Sequence, residues 1–257
     1  MESRVSTVVD LNADLGESYG VWRLGDDEAL LEVVTSANIA CGFHAGDPLT
    51  IRRACARAVA CGVRIGAQVS YRDLAGFGRR EMTVPPAELT AEVLYQLAAL
   101  DGISRTEGGR VSYVKPHGAL YNRAARDPVQ AAAIVAAISA YNPALPLLTL
   151  PGSATERAAI EVRLPVITEA FADRGYRDDG TLVPRSESGA VLTDPQEVAA
   201  RVTAMVTRGS VPTVSGQQLQ ISPRSVCVHS DTPGAVGLAR AVRAALERAG
   251  VTLAPFA

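Results

Sequence analysis

The three histidines of this chain, His44, His117 and His229, and its single lysine, Lys115, each stand just after an apolar run. Their neighbours are polar: Ala37–Pro48 reads ANIACGFHAGDP, Lys115–Asn122 reads KPHGALYN and His229–Asp231 reads HSD. More carboxylates and amides lie in Asp10–Glu17, DLNADLGE, and in Glu169–Arg174, EAFADR. Imidazoles beside carboxylates suit proton transfer near neutral pH, and an ammonium suits an anionic oxygen. Titratable groups of this kind mark a candidate site once a fold gathers them.

Several residues carry more than one reading. Cys41, three residues before His44, has the spacing of a thiol nucleophile, but a small buried cysteine is the commoner case and is preferred. Asp14, His44 and His117 make a mixed imidazole and carboxylate set suited to a divalent ion with an open position, although no H-E-x-x-H spacing supports it. Asp47 before Pro48 reads as a helix cap. Asn12, Asp14 and Glu17 in one short stretch exceed what capping needs. Arg79 and Arg80, in GFGRR, suit a carboxylate or phosphate through planar bidentate contacts, and equally suit a solvated face. No G-x-x-x-x-G-K-[ST] is present, so no phosphate cradle of that kind is expected.

The elements that must position these groups alternate along the chain. Val5–Val9, Ser36–Ala40, Val63–Val69, Val111–Val114, Leu145–Leu150, Pro165–Ala170 and Val226–Val228 read as strands, several buried on both faces. Helices are expected over Glu28–Val34, Leu49–Cys61, Ala87–Thr106, Val129–Ala140, Gln196–Arg208 and Gly234–Ala249. Four start at Asp47-Pro48, Asp127-Pro128, Asp194-Pro195 and Thr232-Pro233, a capping oxygen followed by proline. Seven such units without a linker predict one domain over residues 1–257, a closed or nearly closed TIM-like (β/α) barrel, with a doubly wound open sheet as the alternative. Residues 172–189 and 209–222 fit the alternation poorly and read as excursions, a lid and a hairpin. In either fold the ligand side is the carboxyl end of the strands, where the polar motifs fall.

Composition narrows the function classes. Of the 257 residues, 47% are hydrophobic and 20% charged, enough apolar residues for a large core. A net charge of -2 without like-charge blocks gives no reason to expect nucleic acid or an anionic membrane as partner. No apolar run approaches a membrane span, and the four cysteines form no C-x-x-C pair, so a cytoplasmic protein with reduced thiols is expected.

DLNADLGE, ANIACGFHAGDP, GFGRR, VKPHGALYN, EAFADRGY with LVPR, and CVHSDTPGA resemble, in this order and along nearly the whole chain, the LamB/YcsF family. The resemblance implies an irregular seven-stranded barrel of the glycoside hydrolase/deacetylase type. It also implies the role of the A subunit of an ATP-dependent 5-oxoprolinase. With partner subunits B and C, such an enzyme opens 5-oxo-L-proline to L-glutamate, with ATP, accompanied by Mg, as co-substrate. Three positions depart from the family's usual motifs: Gln68 replaces a histidine of the third strand, Ser230 replaces glycine in H-G-D, and Ala13 replaces a common cysteine. On this resemblance His44 and Asp14 are expected to activate water, with or without a metal, and Lys115 and His117 to hold anionic oxygens. Asn12, Glu17, His229 and Asp231 are expected to bind and position the substrate, and Arg79 to take its carboxylate. The alternatives are a stand-alone metal-dependent hydrolase or deacetylase, and a non-catalytic substrate-binding subunit.

Overall fold

A computed structural model describes residues 7–257. Seven parallel strands form the barrel: β1 (Val8–Leu15), β2 (Ser36–Ala40), β3 (Arg64–Val69), β4 (Val111–Pro116), β5 (Leu147–Thr149), β6 (Val166–Phe171) and β9 (Ser225–His229). They follow one another in sequence order, and β9 pairs with β1 as well as β6, which closes the cylinder. Closure removes the open-sheet alternative. Between β6 and β9, β7 (Ser210–Pro212) and β8 (Gln218–Gln220) form an antiparallel hairpin. A short β10 (Thr252–Leu253) pairs with the start of β1. Of the expected strand Val5–Val9, residues 5 and 6 lie outside the described residues.

The helices α1 (Asp27–Leu31), α2 (Pro48–Cys61), α3 (Pro86–Thr106), α4 (Gly118–Ala124), α5 (Pro128–Tyr141), α6 (Ala154–Glu161), α7 (Pro195–Arg208) and α8 (Ala235–Arg248) connect the strands. Their starts obey local rules. Asp47 accepts from the N–H groups of Leu49 and Thr50, Asp127 from those of Val129 and Gln130, and Asp194 from that of Glu197, each ahead of a proline. The start expected at Thr232-Pro233 is different: α8 begins after Gly234, and the Thr232 hydroxyl donates to Asp173 instead.

β1 departs most from the sequence reading. DLNADLGE was expected to follow a strand, whereas most of it is the strand. Leu11, Ala13 and Leu15 join the main hydrophobic core, while Asp10, Asn12 and Asp14, the alternate residues, are hydrogen-bonded across the cylinder. The barrel interior is therefore a polar ladder. Asp10 accepts from the hydroxyls of Ser36, Thr35 and Ser225; Asn12 Nδ2 donates to Ser225 Oγ at 2.7 Å; and Asn38 Nδ2 donates to Asn12 Oδ1 at 2.7 Å and to Asp14 Oδ1 at 2.8 Å. Every rung is paired, so burial of these groups is tolerated. The Tyr113 hydroxyl donates to Asn38 Oδ1 at 2.6 Å, and its ring lies where a side chain on residue 66 would be, which explains Gly66. Below it Tyr113, Leu148 and Ile167 pack with Phe256 of the C-terminal tail, whose ring meets Tyr113 edge-on at 4.9 Å. The amino end of the cylinder is thereby plugged.

Candidate functional site

The opposite end, where the strands finish, carries two groups of side chains. The first surrounds Lys115, which is 2% exposed. Its Nζ lies 3.2 Å from Asp14 Oδ1, 3.1 Å from Glu169 Oε2 and 3.1 Å from Cys227 Sγ. Burial alone would lower the lysine pKa, but Asp14, Cys227 and Glu169 hold it well above the usual value. Burial likewise acts to raise Asp14, yet Lys115 and then His229 bring it below the ordinary carboxylate range. Glu169 goes the other way: burial pushes it up more strongly than Lys115 and Tyr121 pull it down. One ammonium thus stands between two carboxyls whose pKa values move in opposite directions, Asp14 down and Glu169 up.

His229 completes this group. Asp173 Oδ1 lies 2.8 Å from His229 Nδ1, and Asp173 Oδ2 accepts from the Thr232 hydroxyl at 2.6 Å. Burial opposes ionisation of Asp173, but His229 and Thr232 outweigh it and hold the carboxyl at about 2. An ionised carboxylate only accepts, so Nδ1 carries the proton and Nε2 is left as the basic nitrogen, 4.0 Å from Asp14 Oδ2.

The second group lies beside the first. The His44 and His117 rings stack with centroids 4.0 Å apart, and each Nε2 is 3.7 Å from Glu17 Oε1. Glu17 is fixed from two sides: Gln68 Nε2 donates to Oε1 at 3.1 Å and Ser230 Oγ donates to Oε2 at 3.1 Å. Two of the departures from the family motifs therefore meet on one carboxylate. GFGRR covers the pair. Phe77, at φ 55°, sets its ring edge-on to both imidazoles, and a side chain at Gly78 would run into Ser70, His44 and His117. His117 is held well below the usual imidazole pKa by burial, then by His44 and Arg79.

A cavity of about 580 Å³ opens above the first group, in the range of small-molecule sites. Asp14, Lys115, His117 and His229 contribute to its lining, with Tyr121 and Phe171, and Arg79, Arg174, Arg177 and Arg185 add positive charge. The segment 172–189 supplies much of the wall. Arg174 ties it down by donating to the carbonyls of Ala190 and Val183, and burial, then Arg185, lowers its pKa to about 10. Asp231 Oδ2 receives Arg79 at 2.6 Å, and Arg185 approaches its other oxygen at 3.6 Å, so two loops meet on one carboxylate.

Of the nine expected site residues, eight stand at the carboxyl end of the barrel and Asn12 lies deeper in its interior. Asn12 lies beneath Asp14, fully buried and hydrogen-bonded to Ser225 and Asn38, and does not line the cavity; it supports Asp14 rather than meeting a ligand. His44 and Glu17 also lie outside the cavity lining, so His44 is not the partner of Asp14. The ligand atoms of the expected metal set, Asp14, His44 and His117, do not converge; those of Glu17, His44 and His117 do, while Asp14 is engaged with Lys115 and grouped with Cys227 and His229. Asp173, Glu169 and Cys227 were not singled out in sequence. Their signal was present in EAFADR and CVHSD, but only the closed cylinder sets them against Lys115 and His229. Cys41 is buried with its thiol pKa pushed up by that burial, which agrees with a packing role.

The sequence matches the model of the LamB/YcsF family over residues 9–257. The chain belongs to the LamB/YcsF family. Among its LamB/YcsF relatives, a protein from Streptomyces avermitilis named as the A subunit of 5-oxoprolinase is 60% identical over 250 residues, covering 97% of this chain and 100% of that protein. The crystal structure of a lactam utilization protein from Thermus thermophilus superimposes with a TM-score of 0.92 at 47% identity, covering 96% of this chain and 99% of that one. A family 4 carbohydrate esterase from Streptomyces lividans, 13% identical with a TM-score of 0.54 over 98% of this chain and 93% of that one, shares the LamB/YcsF barrel fold. Among the described residues no helix is long and apolar enough to cross a membrane.

Proposed function

We propose that this chain is the A subunit of an ATP-dependent 5-oxoprolinase and that the cavity over Lys115 is where the lactam of 5-oxo-L-proline is opened to L-glutamate. The observation that carries the reading is Lys115, Asp14 and the Asp173-held His229 in one cavity wall, in a chain whose 60% identical relative bears that name.

A planar amide resists attack by water, and phosphorylation of its oxygen by ATP converts it to an activated imidate. A first water then adds to the ring carbon of the imidate, and the ring C–N bond breaks as the nitrogen departs. Phosphate is released last, when a second water hydrolyses the acyl phosphate left behind. His229 Nε2 takes the proton from the first water, and Asp173 stabilises the imidazolium that forms. Lys115 faces the anionic oxygens, and Asp14 keeps the ammonium oriented. Arg79 and Arg185, bridged by Asp231 at the mouth, suit the substrate carboxylate. This assigns the base to His229, where the sequence alone pointed to His44.

The chain lacks a Walker-type cradle, so the phosphoryl donor is assigned to partner subunits B and C or to an interface with them. Co-expression with B and C, followed by measurement of glutamate and ADP released from 5-oxoproline, tests the reading. Turnover by the assembled complex, lost with His229→Ala, is expected. Robust turnover by the isolated chain, or a fully active complex carrying His229→Ala, overturns it.

A further inference from the structure

We infer that Glu17, His44 and His117 form a divalent metal site, separate from the Lys115 group and reached through the His117 side of the cavity. Three observations lead there. The first is unmet polarity: both ring nitrogens of His44, Nδ1 of His117, the Gln68 carbonyl oxygen and the Ser70 hydroxyl are buried without hydrogen-bond partners. Orphaned polar atoms are rare in a native interior, and among these His44 Nε2 faces Glu17 Oε1 at 3.7 Å with nothing to bond, which points to a missing ligand there.

The second is spacing. Both Nε2 atoms stand 3.7 Å from Glu17 Oε1, too far for a hydrogen bond. Two ligand atoms each about 2.1 Å from one ion and roughly 90–120° apart lie roughly 3.0–3.6 Å from each other, so a small contraction of the trio would hold a cation. The rings stack at 4.0 Å, which leaves no room between their faces and puts the ion at their Nε2 edges, against Glu17.

The third is support around the ligands. Gln68 and Ser230 donate to the two oxygens of Glu17, the kind of outer hydrogen bonds that orient a ligating carboxylate. The other trio able to converge, Asp14, Cys227 and His229, has an ammonium already lodged in it: Lys115 Nζ lies 3.1 Å from Cys227 Sγ and 3.2 Å from Asp14. A second cation there would meet direct repulsion. Two imidazoles and one carboxylate, with no thiolate, suit a borderline ion such as Zn²⁺ or Co²⁺ and leave a position free for water or substrate oxygen.

The test reads binding rather than turnover, so its outcome is separable from that of the lactam reading. Chelator-stripped protein is titrated with Co²⁺, followed by visible ligand-field absorption, and with Zn²⁺, followed by calorimetry. One ion per chain is expected. His44→Ala, His117→Gln and Glu17→Gln should each weaken binding by about 100-fold or more, and Gln68→Ala by about 10–100-fold, as loss of an outer hydrogen-bond partner does. Cys227→Ser should bind like the parent. Circular dichroism identifies variants that remain folded, and any folded member of the three ligand variants decides the matter. No saturable binding by the parent, parent-like binding by folded ligand variants, or loss of binding through Cys227→Ser overturns the assignment.

Discussion

Replacing Lys115 with methionine keeps the length of the side chain and removes its charge from the middle of the barrel. Lys115 and Asp14 are both almost fully buried, so solvent offers little screening to the carboxylate left behind. Breaking a buried pair from one side costs about 3–5 kcal/mol, which for a chain of this size is a fall in Tm of roughly 6–20 °C. The pH dependence has a definite sign. In the parent the folded pKa of Asp14 is depressed, so its contribution to stability is present above the unfolded value and lost as pH falls through the folded one. In the variant, burial acts without the cation and the folded pKa rises above the unfolded value. The penalty is then absent in acid, where the carboxyl is protonated in both states, and grows as pH rises. Thermal unfolding at several pH values should therefore show the parent-to-variant gap widening from about pH 5 to about pH 8. Adding Asp14→Asn to Lys115→Met should recover part of the loss, a coupling that a double-mutant cycle isolates. A Tm within about 2 °C of the parent, which is less than the shift of a single kcal/mol, would refute the reasoning; so would a gap indifferent to pH.

Three other outcomes are expected. Asp173→Asn leaves the fold intact but removes the charge that fixes the His229 tautomer, so turnover of the assembled complex should fall by about 10²–10⁴ with little change in KM; a fall of less than about threefold speaks against His229 as base. Gly78→Ala must strain a φ of 67° and push a methyl to 2.9 Å from His44 Cβ, so a loss of about 1–3 kcal/mol in urea unfolding is expected, and a neutral result would mean that the loop does not clamp the imidazoles. Cys41 and Cys227 are buried with thiol pKa values raised by that burial, so native protein exposed to iodoacetamide should leave both unmodified, as peptide mass mapping would show; rapid alkylation of Cys41 would revive it as a nucleophile.

The parts of this molecule that follow local rules were readable from sequence. Asp-Pro pairs at three helix starts, apolar runs for the central strands and polar residues at strand ends led to the barrel and to the correct end of it. β1 was misjudged because its chemistry alternates inward: Asp10, Asn12 and Asp14 have the composition of a loop, and only partners contributed by β2 and β9 make them a strand interior. The helix α4 was missed because it begins straight after His117 without a capping side chain. Which carboxylate belongs to which imidazole was also out of reach. That pairing depends on angular position around a cylinder: His229 meets Asp173 and Asp14, while His44 reaches across to His117 and Glu17. Composition along one dimension carries no record of it.

The stopper made by Phe256 under Tyr113, Leu148 and Ile167 has a consequence for traffic. With the amino end filled, a molecule held over Lys115 would come and go past Arg79, Arg174, Arg177 and Arg185, which line the cavity. On the proposed function, product that lingers would block the next arrival, and inhibition of a competitive kind is the expected result. A neighbouring protein seated over those arginines would control both directions of passage at once.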